Sequence, residues 1–324
     1  MNNSFNSSLI EGINVDIVII PTTTLGLVLN LFLTIVISAD KYFHKRTYHL
    51  IRISFISDII SNLIYTVNFG ITTDFNINYQ FARLLCQITF YFTTSLYGIS
   101  MLTLCLIAID RYLVITKPNT RLNNTIQQHF ILIGQIIIWT ISLLTPIPIF
   151  DIVGIYQNQT DACDFPIITS KTSIYLCSIT IMLYILPTIV IVFMYGKVIL
   201  YTKKYIRPVN FNHEQEIDHI ARRKFVKMLI TITSFNVFLS WPFFATLVGI
   251  AITRTPIQYL RKVNQTHYAL ASASFSVTIA ITIANPILYL KFDKHIRRAS
   301  LLLLKLLVSR NRHSHSRIVI LRAK

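Results

Sequence analysis

The chain has 324 residues, of which 53% are hydrophobic and only 13% charged, and its mean hydropathy is +0.57. A soluble chain carries about 25% charged residues to cover its surface, so an ordinary cytosolic enzyme and a disordered protein are both disfavoured. The formal net charge of +17 would by itself suggest a nucleic-acid partner, but the placement of the charges points to a membrane face.

Residues 1–16 have neither a basic leader nor an early apolar run, so no cleavable signal peptide is expected and the first span serves as the anchor. Crossing about 30 Å of hydrocarbon takes roughly 20 helical residues. Uncharged stretches of that length fall at 17–39, 84–109, 130–150, 172–196, 228–253 and 268–290, and a seventh, 53–73, holds one charge, Asp58. Seven such runs in series predict an all-α membrane protein, a seven-transmembrane helix bundle. Barrel strands would be about ten residues of alternating pattern, which these are not.

Lys and Arg set the orientation. Five of the 30, namely Arg83, Lys171, Arg254, Arg261 and Lys262, fall on one side of the spans; the other 25 share a side with the C-terminus, counting Arg52 at the end of span two. The expected organisation is an extracellular N-terminus at 1–16, a membrane domain at 17–290 and a cytosolic tail at 291–324. Sequons at Asn2, Asn6, Asn158 and Asn264 lie on the expected outer side and mark glycosylation sites. Asn123 lies on the inner side.

The chain offers no catalytic constellation. It has eight glycines and no phosphate-binding loop, and His213, Glu214 and His219 lack the spacing of a zinc-protease helix. No enzyme and no cofactor are expected. The polar residues inside the spans are more informative. A charge at membrane depth costs about 3 kcal/mol, so Asp58 is expected to face the bundle, either neutral and hydrogen-bonded or as part of an ion site. Span three closes on Asp110-Arg111-Tyr112. Span seven closes on Asn285-Pro286-Ile287-Leu288-Tyr289, where the proline frees a carbonyl that needs a partner, one that Asn285 can supply or organise. A transporter or channel would be expected to carry several intramembrane ionisable residues or inverted repeats; here there is Asp58 and no repeat.

Together these marks resemble the rhodopsin-like (class A) G protein-coupled receptors over about residues 26–301. Gly26 and Asn30 stand in span one, Asp58 in span two, Cys86 and Asp110-Arg111-Tyr112 at the two ends of span three, and Trp139, Pro146 and Pro148 in span four. Pro187 and Tyr195 follow in span five, Trp241-Pro242 in span six, and Asn285 to Tyr289 in span seven. Some family marks differ. Trp241 abuts Pro242 where the family places one residue between them, which leaves open whether Trp241 acts as a toggle. The inner end of span six reads Arg222-Arg223-Lys224, without an acidic partner for Arg111. Ile279 stands where light-sensing members carry the retinal lysine, and Thr93 where amine receptors carry an aspartate.

The resemblance implies a receptor that binds an extracellular ligand and activates a heterotrimeric G protein at the plasma membrane. Arg111 would be held by Asp110 at rest and freed to meet the G protein, with Tyr112, Tyr195, Asn285, Pro286 and Tyr289 completing the switch. Asp58, Ser100 and Asn285 would line a mid-membrane pocket suited to a sodium ion, with no other metal implied. Cys86 and Cys163, both on the oxidising side, can pair as a disulfide, whereas Cys105 and Cys177 read as apolar fillers. Residues 291–307 read as a short amphipathic eighth helix drawn to anionic lipid. For the ligand, Thr93, Tyr97, Phe243 and Phe244 are candidate pocket walls. Asp151, Asp161 and Asp164 at the rim oppose Arg254, Arg261 and Lys262. A small neuropeptide fits that pattern; a chemosensory small molecule is the alternative. The basic charge is then accounted for by lipid and a G protein, with no nucleic-acid partner.

Overall fold

Among the described residues of the computed structural model, seven helices are long and apolar enough to cross a bilayer, so the chain is a multi-pass membrane protein. The structure describes residues 15–74, 78–116, 124–156, 159–204 and 213–306. The spans are α1 (Val15–Ala39), α2 (Arg46–Asp74), α3 (Tyr79–Thr116), α4 (Asn124–Leu144), α5 (Ser170–Thr180, then a π-turn Ile181–Ile185, then Leu186–Lys204), α6 (His213–Thr253) and α7 (Gln265–Phe292). An eighth helix, α8, covers 294–306.

Several helices outrun their hydrocarbon-crossing stretches. α6 starts at His213 although the uncharged run starts at 228. Hydropathy registers depth in lipid, but a helix satisfies its own backbone wherever it goes, so polar residues extend it into water. α4 does the opposite. It stops at Leu144, and the rest of the expected span is a turn through Pro146 and Pro148 followed by a short helix, Ile149–Ile152. Two prolines within three residues remove two amide donors there.

α3 is the most enclosed span and packs on α2, α4 and α5, while α7 packs on α6, α1 and α2 and closes the ring. Close approach is built in at Gly26, where an added Cβ would lie 2.8 Å from Asn62 Oδ1, and at Gly98, where it would lie 2.9 Å from Ser142 Oγ. Outside the bundle, strands β1 (Gly154–Tyr156) and β2 (Gln159–Asp164) form an antiparallel hairpin in the loop between α4 and α5.

The apolar core falls into two clusters. One gathers Leu33, Phe55, Leu104, Ile107, Leu229, Tyr289 and Ile296; the other Cys86, Val153, Phe165, Leu183, Phe244 and Leu247. Between the clusters, α3, α6 and α7 bring together polar residues, Ser95 and Ser100, Asn236 and Ser240, Thr278 and Thr282, interspersed with buried Leu96, Ile99, Ile279 and Ile281. The fold is thus two greasy halves with a polar layer between them.

Candidate functional site

The polar layer is a connected network. Asn236 of α6 donates from Nδ2 to Asn285 Oδ1 at 2.7 Å, and Asn285 donates from Nδ2 to Asp58 Oδ2 at 3.1 Å. Three helices therefore meet on Asn285. Around it, Thr282 donates to Asn62 Oδ1 at 3.0 Å and Ser54 and Ser100 share a hydrogen bond of 2.8 Å. Asp58 is 5% exposed, so at this depth its carboxyl group depends on these partners.

The carbonyl freed by Pro286 belongs to Thr282. Its partner is Asn30 of α1, which donates from Nδ2 at 2.7 Å, and the same nitrogen donates to Gly26 O at 2.8 Å. Asn285, expected to serve that carbonyl, is turned to Asp58 and Asn236 instead, because its side chain lies on the face of α7 that meets α2 and α6. Asn30 therefore ties α1 to the kink in α7.

A cavity of about 40 Å³ opens in the polar layer. Its walls include Asp58, Ser61, Tyr65, Ser100, Asn236, Ser240 and Thr282, together with Thr93 and Tyr97. The two candidate sites from the sequence, an ion pocket and a ligand pocket, thus share one space at Thr93 and Tyr97. A cavity needs at least about 10–15 Å³ to hold one water-sized occupant, so this one has room. Its oxygen-rich walls, with one carboxylate, suit a hard cation.

Above the cavity the walls are aromatic. Phe244 is buried between Tyr97, 5.2 Å between centroids, and Tyr184, stacked at 4.9 Å. Phe243 meets Phe275 edge-on at 5.1 Å. Tyr184 was not singled out in the sequence. It lies in the π-turn of α5, just before Pro187, and its hydroxyl donates to Val237 O at 3.2 Å, one turn below Pro242. Trp241 is 53% exposed on the outer face of the bundle, and the inward position beside Pro242 belongs to Ser240, 1% exposed. Adjacency to the proline turns the indole outward, so Trp241 cannot lie under a ligand in this arrangement.

At the opposite end, Arg111 is paired with Asp110 of its own helix, with Nε also donating to Asp110 Oδ2 at 3.1 Å. The guanidinium lies 6.0 Å from the Phe225 ring of α6. Tyr112 is half-buried, while Tyr195 and Tyr289 are buried in the adjoining apolar cluster. Arg223 reaches across to α5, donating to Thr202 O at 3.0 Å. Tyr48 and Asp293 escaped notice in the sequence. Asp293 ends α7, accepts from His295 N and Ile296 N at the start of α8, and accepts from the Tyr48 hydroxyl at 2.8 Å.

The Cys86–Cys163 disulfide is present, with a Cα–Cα distance of 5.7 Å, and it joins α3 to the hairpin. Asp164 is not the rim charge expected of it. It is 0% exposed and accepts four hydrogen bonds, because its side chain, at the end of β2, is turned onto the start of the Ile257–Val263 helix. One donor is the Tyr156 hydroxyl, whose pKa is raised to about 12 by burial and by the Asp164 charge, so it keeps the proton it donates. Asp151 is exposed. The Asp161 side chain and the sequons at Asn2, Asn6 and Asn158 lie outside the described residues. Asn264 caps α7, accepting from His267 N at 3.1 Å.

A family model described as 7 transmembrane receptor (rhodopsin family) matches residues 29–289. Similar curated proteins include galanin receptor type 2 of Rattus norvegicus, 25% identical over 228 residues, 68% of this chain and 57% of that receptor. Galanin receptor 2b of Danio rerio is 23% identical over 237 residues, 73% of this chain and 60% of the other. The GQ-coupled rhodopsin of Mizuhopecten yessoensis is 29% identical over 141 residues, 42% of this chain and 28% of that protein. The matched regions thus span little more than half the length of the two galanin receptors.

Proposed function

The chain belongs to the rhodopsin family of seven-transmembrane receptors, a family of receptors and not of enzymes, and on that premise we propose that it binds an extracellular ligand and activates a heterotrimeric G protein. The observation that carries this reading is the Asn236–Asn285–Asp58 chain, which joins α6, α7 and α2 in one hydrogen-bonded layer. A ligand that binds one arrangement of the helices better shifts the population toward it. The polar side chains in the layer must then exchange partners together, because losing one in an apolar bundle costs about 1–3 kcal/mol. The layer is thus a coupling element between the aromatic outer half and the Asp110–Arg111 end.

In this mechanism Arg111 leaves Asp110 and becomes the contact for the G protein, with Tyr112 beside it, and Tyr195 and Tyr289 move into the space it vacates. Asp58, Ser100 and Asn285 would line a site for a sodium ion, whose positive charge would offset the buried carboxylate. The basic bias of the inner segments supports an outside N-terminus and a cytosolic tail, and a receptor for an extracellular ligand belongs in the plasma membrane, with Asn2, Asn6, Asn158 and Asn264 available to glycosylation.

For the ligand we favour a small peptide. The neutral aromatic walls at Tyr97, Phe243 and Phe244 suit apolar side chains, and relatives named as galanin receptors support the reading. Burial of Asp164 leaves Asp151 and Asp161 to meet a cationic group at the rim. The small size of the cavity at Thr93 and Tyr97 favours the second reading, a small molecule. The experiment is nucleotide exchange on a purified heterotrimer with the receptor in lipid nanodiscs, with a peptide library and a small-molecule library run separately. A peptide hit supports the first reading and a non-peptide hit the second. No exchange above empty nanodiscs with either library contradicts the proposed function.

A further inference from the structure

We propose that Asp164 is the positioning residue that keeps the outer mouth closed: its carboxylate latches the disulfide-anchored hairpin onto the loop joining α6 to α7. The residue follows Cys163, which is bonded to Cys86 of α3. Asp164 Oδ1 accepts from Phe165 N at 2.7 Å and from Ile257 N at 3.1 Å. Its Oδ2 accepts from Gln258 N at 2.9 Å and from the Tyr156 hydroxyl at 3.3 Å. Ile257 and Gln258 open the short helix Ile257–Val263, which is connected to the outer ends of α6 and α7. The outer end of α3 and the α6–α7 loop therefore meet on one fully buried side chain.

The latch fixes what lies beneath it. Phe165 is 2% exposed and meets Phe90 at 5.8 Å, Phe90 meets Phe275 at 6.1 Å, and Phe275 meets Phe243 at 5.1 Å. The hairpin thus places a ring of its own among the aromatic walls. A ligand from the outside must lift Phe165 or put an apolar group in its place, and lifting it strains the four bonds on Asp164. The latch therefore governs the rate of access and selects for ligands with an aromatic or aliphatic group at the leading end. This selection rests on the reading that the outer half takes the ligand; the latch itself does not.

The test uses a cysteine as a reporter. Ser274 of α7 is 4% exposed and bonded to Thr246 beneath the roof. In the full-length receptor carrying Ser274→Cys and Cys177→Ser, a charged, membrane-impermeant thiosulfonate is added outside intact cells and the rate of labelling is read. Adding Asp164→Asn should speed labelling at least tenfold, because a neutral amide offers one acceptor oxygen where four donors converge. Tyr156→Phe, which removes a single bond, should speed it a few-fold. Cys105, in the inner half of α3, is the control for general loosening. Labelling that is unchanged in both variants overturns the proposal, as does equal acceleration at Cys105. If Asp164→Asn does not reach the surface, Tyr156→Phe decides alone. Failure of the receptor to signal would count against the proposed function and leave the labelling result standing.

Discussion

Asn30 and Thr282 show how a single residue can stabilise a kink that another creates. Pro286 cannot donate to Thr282 O, and Asn30 takes over that acceptor from α1. Interhelical hydrogen bonds in lipid average about 0.6 kcal/mol and reach about 1.7. Asn30→Ala should therefore lower the thermal midpoint of the detergent-solubilised receptor by a few degrees, and an unchanged midpoint would mean the carbonyl finds another donor. Asp58 makes a sharper case. If its carboxylate holds sodium, the receptor should be more heat-stable in sodium chloride than in choline chloride at equal ionic strength, and Asp58→Asn should abolish the difference while keeping a side chain that can bond Asn285. Equal stability of the native chain in both salts would remove the ion from the account. Asp58 and Asn285 were legible in the sequence because polar residues inside apolar spans are expensive. Asn62 could have been read as well, since it lies four residues from Asp58 on the same helical face. Asp164 was misread because a sequence displays charge and not burial.

At the scale of elements, the informative features are irregular. The π-turn at Ile181–Ile185 brings Tyr184 into contact with Val237 O and Phe244, linking α5 to the part of α6 that flanks Pro242. Periodicity cannot show such a contact, because a π-turn shifts the helical face that every later residue presents. The disulfide was visible only as two cysteines on one side of the membrane, and its effect depends on where the hairpin goes. Closing so long a loop is worth about 4 kcal/mol for a chain unfolded in water, less for one already threaded through lipid. Cys86→Ala and Cys163→Ala should each lower surface expression, and the double variant should be no worse than either single one. Normal surface levels and normal labelling at Ser274→Cys in both would make the bridge dispensable. α8 was read from its basic and leucine-rich sequence, and its position comes from Asp293, which caps it and ties it to Tyr48 of α2.

At the scale of the whole molecule, composition and charge carried most of the fold. Seven apolar runs specified seven spans, and the burial of α3 follows from its neighbours on three sides. The division into two apolar halves with a polar layer between them was not legible, because it requires aligning the heights of residues on different helices. The proposed orientation rests on the 25 basic residues that share a side with the C-terminus. An epitope tag on the tail should be stained only after cells are permeabilised, and staining of intact cells would invert the topology. The coupling claim joins all three scales, from Arg111 through the layer around Asn285 to the outer walls. Its most direct measurement compares G protein activation by the native chain and by Arg111→Ala in cells carrying a promiscuous G protein, at matched surface levels and with the same agonist. The account predicts that Arg111→Ala binds the agonist with nearly native affinity and loses most of the G protein response. Full signalling by Arg111→Ala would contradict it.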